Sequence, residues 1–487
     1  MDKKAIKYKL KNSYILSTAF YFARQCIVEP LKARGKEPVI HRPQNALFQV
    51  KVAIICDEMT WQNCKDLFQE ACYLTPGNWK KTLEQYKPDF LFCESAWTGI
   101  DEYWHIWCGR IFKNHKVLFE NRKALLGILA CCKKEGIPAV FWNKEDPVFY
   151  REPQSDFTET ALLFDHIFTT ARECVAGYEA EGHSSVHVMP FGFSPRMFHP
   201  LERGGEANGA VFAGSWFSEH KQRCKDMRSA FEWLKKREIA LTIYDRQYGK
   251  NGVSSFPYEY RSDVRPAEAY ADMGAIYRKY AIGVNINTVK ESETMFARRV
   301  YEMIACGLPV VSNESLGIRE RFGRGVAFVE DTDAEIASPE KAHDLLRDVF
   351  LHDTFEARIR VLLETIGISQ HKLLPALDVF CIGEKACRTG EEIDWPRKRL
   401  IPVSSEAELK EAIAKASGQY GIVLDDDSVC PDIAFFLTQF AFLPADCGVC
   451  AGSEHYRIEK TSSCKDILWP LRTLKCNAPA GKYRYIC

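Results

Sequence analysis

No apolar run in the 487-residue chain approaches the ~20 residues that a bilayer-spanning helix needs, so no transmembrane segment is expected. Charge of one sign is missing too. Lys plus Arg total 65 and Asp plus Glu total 65, a balance that makes no bulk case for nucleic acid or an anionic membrane. Peripheral membrane contact stays open. There is no GxxxxGK[ST], which argues against a P-loop NTPase. Gly323-Arg-Gly325 lacks the third glycine of a dinucleotide fingerprint and precedes a strand rather than a helix. A kinase or a dehydrogenase is therefore not expected. No internal repeat at a period of roughly 20–50 residues is visible, nor any extended low-complexity segment.

What is present is an ordinary globular composition, 46% hydrophobic and 27% charged, which rules out a largely disordered chain. The length suggests two to four domains at ~100–200 residues each. The N-terminus is basic, but its apolar stretch is short, broken by Ser17 and Thr18, and lacks a small-residue cleavage site. Nineteen cysteines are many, yet eleven lie in residues 1–370, several inside strand- or helix-like runs (Cys56, Cys93, Cys306). Buried small hydrophobes behave this way. Cys447-Gly-Val-Cys450 is a lone pair without a second pair at zinc-finger spacing. Reduced thiols in a cytoplasmic protein are expected.

Short β-rich runs alternate with amphipathic stretches, the pattern of an α/β protein with parallel sheets. In the first part the runs are Val52–Cys56, Phe90–Cys93, Ala139–Trp142, His166–Thr169 and Val186–Met189, with a helix over Asn121–Lys134. The polar, glycine-rich stretch 200–209 reads as a linker. Alternation then restarts with strands at Ala210–Ala213, Ala240–Tyr244, Ile282–Ile286, Pro309–Ser312 and Val326–Val329. Helices are expected at Lys221–Lys236, Ala267–Lys279, Met295–Ala305, Pro339–Leu351 and Thr354–Ile366. The tail from His371 has strand Asp378–Ile382, a charged irregular stretch Arg388–Arg399, helix Ser405–Ser417 and strand Gly421–Leu424. Three units follow: 1–200, 201–370 and 371–487, the first two Rossmann-like and joined by a hinge.

The most informative block is Thr294 to Asn313. Thr294 can cap a helix whose apolar face is Phe296, Val300, Met303 and Ile304, turning Arg298, Arg299 and Glu302 onto another face. Two arginines at a helix N-terminus attract phosphate, and a carboxylate one turn later can accept from a ribose diol. A plain amphipathic helix with solvated charges fits that spacing equally well. After the first strand of the second unit, Gly214 and Ser215 can let the backbone approach a diphosphate that Lys221 and Arg223 neutralise. An ordinary surface helix is the alternative. Tyr244-Asp245-Arg246 and Asn285-Ile286-Asn287 end neighbouring strands at the edge where α/β ligands bind. In the first unit Glu94-Ser-Ala-Trp97 and Asn143-Lys-Glu-Asp146 also lie at strand ends. Glu94, Glu145 or Asp146 could serve as the general base for an acceptor hydroxyl. Trp97, Trp104 and Trp107 could stack on a sugar or simply fill the core. His166, inside an apolar strand, reads as a satisfied core histidine.

Glu302-Met-Ile-Ala-Cys-Gly-Leu-Pro-Val-Val311 resembles the E-A-M-A-x-G-x-P-V-V block of group-1 glycosyltransferases of the GT-B type. In that family the glutamate binds the donor ribose. More closely, the chain to about residue 330 is similar to the spore-coat-maturation glycosyltransferase-like family. The matching segments are Phe92–Trp97, Val140–Pro147, Phe164–Thr170, Phe212–Ser215 and Met295–Arg299. The resemblance implies a GT-B pair of Rossmann-like domains facing a cleft, with the acceptor entering from the first. A nucleotide-diphosphate sugar would be held by the second, through Gly214, Ser215, Lys221, Arg223, Asn287, Thr294, Arg298, Arg299 and Glu302. The acceptor would be a glycan or protein hydroxyl, and the setting bacterial surface, spore-coat or polysaccharide glycosylation. No cofactor is expected for this core. One departure stands out: where group-1 enzymes usually carry a second glutamate that touches the donor sugar, this chain has Thr294. A nucleotide-sugar epimerase and a non-catalytic sugar-nucleotide-binding protein are the rival readings.

The tail's Tyr420-Gly-Ile-Val-Leu-Asp-Asp-Asp-Ser428 resembles the strand-end DxD of GT-A, family-2-like glycosyltransferases. There Asp425 and Asp427 would hold Mn²⁺ or Mg²⁺ against a diphosphate, hard oxygen ligands for a hard cation. Only about 55 residues separate His371 from this motif, which suits a truncated module.

Overall fold

The computed structural model describes residues 14–23, 25, 38–44, 46–103, 105–201, 208–248, 255–368, 375–443, 447–450, 458–461, 467–470 and 482–486. Its first sheet has strands β1 (Ile40–His41), β2 (Phe48–Ile55), β3 (Phe68–Tyr73), β4 (Phe90–Glu94), β5 (Ala139–Asn143), β6 (His166–Thr169) and β7 (Val186–Val188). They lie in the order β1-β3-β2-β4-β5-β6-β7, parallel except for β1. β4 and β5 are buried at every position, because helices cover both faces of the sheet. The second sheet comprises β8 (Ala210–Gly214), β9 (Leu241–Asp245), β10 (Val264–Pro266), β11 (Ile282–Asn285), β12 (Val310–Ser312) and β13 (Val326–Phe328). Its order is β10-β9-β8-β11-β12-β13 and all its pairs are parallel. The class is α/β with parallel sheets, in the two doubly wound domains that the resemblance implies.

The third sheet, β14 (Leu377–Ile382), β15 (Lys398–Val403), β16 (Tyr420–Asp425) and β17 (Trp469–Pro470), runs in the order β15-β14-β16-β17. It leans on the second domain. Phe350 of helix Pro339–His352 meets Phe435 edge-on at 6.3 Å, and Arg347 pairs with Asp432 at 2.8 Å. The cysteines with described side chains are free thiols. Among the described residues no helix is long and apolar enough to cross a membrane.

The chain crosses between the first two domains twice, and the crossings lie side by side. Phe193 and Asp353–Phe355 exchange backbone hydrogen bonds of 3.2 and 2.8 Å, and a Cβ on Gly192 would sit 2.9 Å from the Asp353 carbonyl. Beyond this hinge, helix Phe355–Thr365 returns to the first domain. Its Phe355, Ile359, Leu362 and Leu363 belong to the core that holds Trp142. A boundary drawn at residue 370 therefore leaves in the second unit a helix whose apolar face completes the first.

Most expected elements are present within a residue or two, but three local readings change. The helix expected at Met295–Ala305 begins at Arg299, and Thr294 does not cap it. Ser292 Oγ takes the Met295 N–H at 3.0 Å and Asn287 Oδ1 takes that of Ala297 at 2.9 Å, so the approach is tied down as irregular chain. The stretch Ala267–Lys279 contains only a 3₁₀ turn, Tyr270–Asp272, and a short helix, Met273–Tyr277. The region read as irregular contains helix Glu384–Glu392 and β15.

Candidate functional site

Doubly wound sheets open a crevice at the carboxyl ends of the two strands between which the winding reverses. In the second domain those strands are β8 and β11. Gly214 and Ser215 end the first, and Asn285 to Asn287 end the second. Gly214 is required by packing: a Cβ there would lie 2.6 Å from the Phe212 ring. Ser215 is fully buried, and its Oγ has no hydrogen-bond partner. Asn285 pairs in register with Ser312 and donates to its Oγ at 3.0 Å. Asn287 spends its Oδ1 on Ala297, while its buried Nδ2 is left unpaired.

Four guanidinium groups converge on this edge. Arg223, from the first turn of helix Lys221–Lys235, is buried and donates to the Ser215 carbonyl at 2.8 Å. Burial first, then repulsion from Arg299 and Arg246, brings it down to about 10. Arg246 follows β9 and reaches solvent at the rim. It too is held at about 10, by burial and then by Arg299 and Arg298. Arg299 lies 5.6 Å from the Phe212 ring, and its buried Nη1 has no partner. Its affinity for its proton is lowered by burial, with Arg298 adding repulsion. Lys221 opens the same helix as Arg223 but is exposed. Unpaired buried donors beside mutually repelling cations are costly in an empty protein, and an anion relieves both.

Glu302 is buried one turn into helix Arg299–Ala305. It accepts from Tyr270 Oη at 2.7 Å and pairs with Arg298 Nε at 3.1 Å. Tyr270 Oη in turn accepts from Asn63 Nδ2 at 2.9 Å, on the first domain's helix Glu58–Cys64, and Arg298 touches Met59 on the same helix. Thr294 also reaches across. Its Oγ1 donates to the Thr170 carbonyl at 2.7 Å and accepts from the Arg172 N–H at 2.9 Å. Arg298, Thr294 and Tyr270, the partner of Glu302, thus take part in the contact with the first domain.

At the first domain's own reversal point, between β2 and β4, Glu94 is fully buried. It accepts from Thr60 Oγ1 and the Asp57 N–H and pairs with Lys144 Nζ at 3.1 Å. Asp57 shares that ammonium at 3.1 Å and accepts backbone N–H groups of Trp97, Thr98 and Gly99. Burial works to raise the Asp57 carboxyl, but Lys144 and these donors leave it below its usual range. Glu94 stays above its range because burial outweighs Lys144. Asp146 is buried and bonded to Asn143, Thr169 and Tyr178, yet burial still pushes it up to about 7. Glu145 differs from both: it is half-buried beside Trp97, and burial, opposed by Lys144, raises it.

Trp107 is a core residue donating to the Leu74 carbonyl at 2.8 Å, whereas Trp97 is partly exposed among Phe112, Phe149 and Phe157. Trp104 lies outside the described residues. His166 pairs with Ser185 Oγ at 2.7 Å. In the third sheet Asp425 accepts from Ser428 and the Asp427 N–H, an internal turn, while Asp426 accepts from the Ala386 N–H at 3.0 Å. Among the described residues, the three side chains whose ligand atoms do converge are His115, Asp156 and Glu159, where Arg122 and Arg151 supply counter-charge. Lys144, Asp57, Tyr270 and Asn63 carried no motif that assigns them a role. Arg246 was legible only as a strand-end residue.

Residues 222–361, well under half of the chain, match the model of a family described as glycosyl transferase-like. No curated protein matches the chain. Solved structures similar to it include an α,α-trehalose 6-phosphate synthase from Burkholderia multivorans, 9% identical with a TM-score of 0.37, spanning 59% of this chain and 72% of that one. Another is an α-glucosyltransferase in complex with UDP and a mismatch-containing DNA, 12% identical with a TM-score of 0.37, spanning 66% and 96%. A third is a UDP-N-acetylglucosamine 2-epimerase, 11% identical with a TM-score of 0.31, spanning 66% and 98%. These likenesses are loose in sequence and in superposition. The family match covers the helix that carries Arg223 and the one that carries Arg299 and Glu302.

Proposed function

We propose that the chain is a group-1, GT-B glycosyltransferase that moves a sugar from a nucleotide-diphosphate donor to a glycan or protein hydroxyl. The observation that carries this reading is the arginine cluster at the second domain's reversal point, with Ser215 Oγ, Asn287 Nδ2 and Arg299 Nη1 unpaired beside it. Arg223, Arg246 and Arg299 would hold the diphosphate. Glu302, one helical turn away, would accept from the ribose diol after releasing Tyr270. Charge developing on the leaving diphosphate would be stabilised by fixed guanidinium groups, without a metal ion. Of the three first-domain carboxylates, Glu145 suits the general base, because Glu94 and Asp146 are sealed in by their partners. Trp97 beside it offers a ring face to an acceptor sugar. A role in bacterial surface or spore-coat glycosylation rests on the sequence resemblance.

Thr294 favours a second reading. Where a donor-contacting glutamate is expected, this side chain is committed to two bonds across the domain contact. An epimerase or a binding protein would tolerate that loss. Incubation with a panel of nucleotide sugars, with and without EDTA, separates the three. Nucleotide release that survives EDTA supports the transferase, a changed sugar supports the epimerase, and binding alone supports the binding protein.

A further inference from the structure

We propose that helix Tyr14–Ala23 and the adjoining turn at Leu118 form a docking surface for an anionic lipid bilayer. The helix, YILSTAFYFA, carries no charged residue. One side is docked on the first domain. Ser17 is buried and the Tyr21 ring lies over Gly109, while Phe22, at the margin, meets Phe119 edge-on at 6.2 Å. Gln25 just beyond donates to the Gly109 and Asn121 carbonyls at 3.1 and 3.2 Å. The other side is open: Tyr14 and Phe22 are 53% exposed, Ile15 75% and Phe20 47%. Leu118, 73% exposed, flanks it, its N–H donating to Thr18 Oγ1 at 3.1 Å. A contiguous patch of large apolar side chains is rare on a surface that meets only water.

Charge selects the occupant. Lys3, Lys4, Lys7, Lys9 and Lys11 immediately precede the helix against the single acid Asp2, in a chain whose total charge is zero. Apolar side chains entering the acyl boundary while lysines meet anionic headgroups is the pairing that holds interfacial helices. A second copy of the chain fits worse, because each copy brings five lysines in the segment directly preceding the helix, and like charges repel.

The test is sedimentation of the full chain with vesicles of phosphatidylcholine alone and of phosphatidylcholine mixed with phosphatidylglycerol. Binding to the mixed vesicles only, weakened by salt, is expected. Ile15→Glu with Phe22→Glu should reduce it by at least about tenfold for each apolar side chain lost from the acyl boundary. Leu118→Glu, on a turn outside the helix, should also reduce it. Replacing the five lysines by Gln keeps the apolar face and should still abolish the preference for phosphatidylglycerol. Unchanged melting temperatures show that the variants fold. Equal binding to both vesicle types, binding that survives Leu118→Glu in a folded variant, or a concentration-dependent dimer with no vesicle binding would each overturn the proposal.

Discussion

Removing Arg299 should leave the empty protein at least as stable while sharply weakening its hold on a nucleoside diphosphate. Arg223 is held at about 10 rather than 12.5, which disfavours its charged form by roughly 3 kcal/mol. Burial is the larger cause and repulsion from Arg299 the next, so Arg299→Leu returns part of that. The buried, unpaired Arg299 Nη1 costs a further ~1–3 kcal/mol in the empty protein. Against this stands the contact with the Phe212 ring at 5.6 Å, worth about 0.5–1 kcal/mol. The variant should therefore be neutral to about 2 kcal/mol more stable in urea unfolding without ligand. With UDP the balance reverses. One lost charge-assisted hydrogen bond costs about 1.5–3 kcal/mol, a roughly 10- to 150-fold rise in Kd by calorimetry. Uridine, which has no phosphate, should bind both proteins alike. A variant that is less stable when empty and binds UDP as tightly as the parent would refute the assignment of the cluster to phosphate.

Three further outcomes follow from the same geometry. Glu302→Ala should weaken uridine and UDP alike, by about 1–3 kcal/mol, because it removes a group assigned to the ribose; calorimetry with both ligands checks this. Thr294→Val deletes one donor and one acceptor bridging the domains and should shift the empty protein toward a more open form. Small-angle scattering would show this as a larger radius of gyration, and an unchanged radius would remove Thr294 from the contact's energetics. Asp146 sits at about 7 when folded and near 3.9 when unfolded, so the native state binds the extra proton between those values. The Asp146 contribution to stability should therefore be greatest below about pH 4, fall as pH rises and level off above about 7, by at most ~4 kcal/mol in total. In Asp146→Asn that part of the pH slope disappears from urea unfolding.

The strands were legible wherever burial on both faces writes a continuous apolar run. His166–Thr169 is the clearest case, found at the expected residues. β3 was not, because Phe68-Gln-Glu-Ala-Cys-Tyr73 lies near the sheet edge and Gln69 and Glu70 interrupt the run. The helix before Glu302 misled for a different reason. Phe296 has helical spacing from Val300 and Met303, yet the bonds that decide its conformation come from Ser292 and Asn287. Periodicity cannot see such tethers. At the site, Arg223 is visible from the stretch after β8 and Arg298, Arg299 and Glu302 from the Thr294–Asn313 block, and the fold brings them to one edge. The groups that complete their environment come from elsewhere: Tyr270 from a 3₁₀ turn, Asn63 from a helix in the other domain, Lys144 from a strand end some fifty positions from Glu94. Their roles exist only once the domains meet.

The charge distribution across that meeting favours an anion on the second domain's side. Arg298 has its counter-charge already: Glu302 pairs with it, and Glu94 of the first domain adds attraction, so burial is outweighed and its proton is held more tightly than usual. For Arg223, Arg246 and Arg299 burial and mutual repulsion outweigh what attraction their neighbours supply, and all three hold their protons less tightly than usual. Lys144 is shared by Asp57 and Glu94 at 3.1 Å each, so the first domain's charges are paired with one another. The residual charge of the cleft is thus positive, located on the second domain, and close to what a diphosphate supplies with opposite sign. On the proposed function, the acceptor hydroxyl would enter from the side where Glu145 and Trp97 stand. A donor bound at the arginines would relieve their repulsion and free Arg298 to share its charge with the diphosphate. Binding and domain closure would then favour each other, because the residue that touches the first domain is also the one the donor recruits.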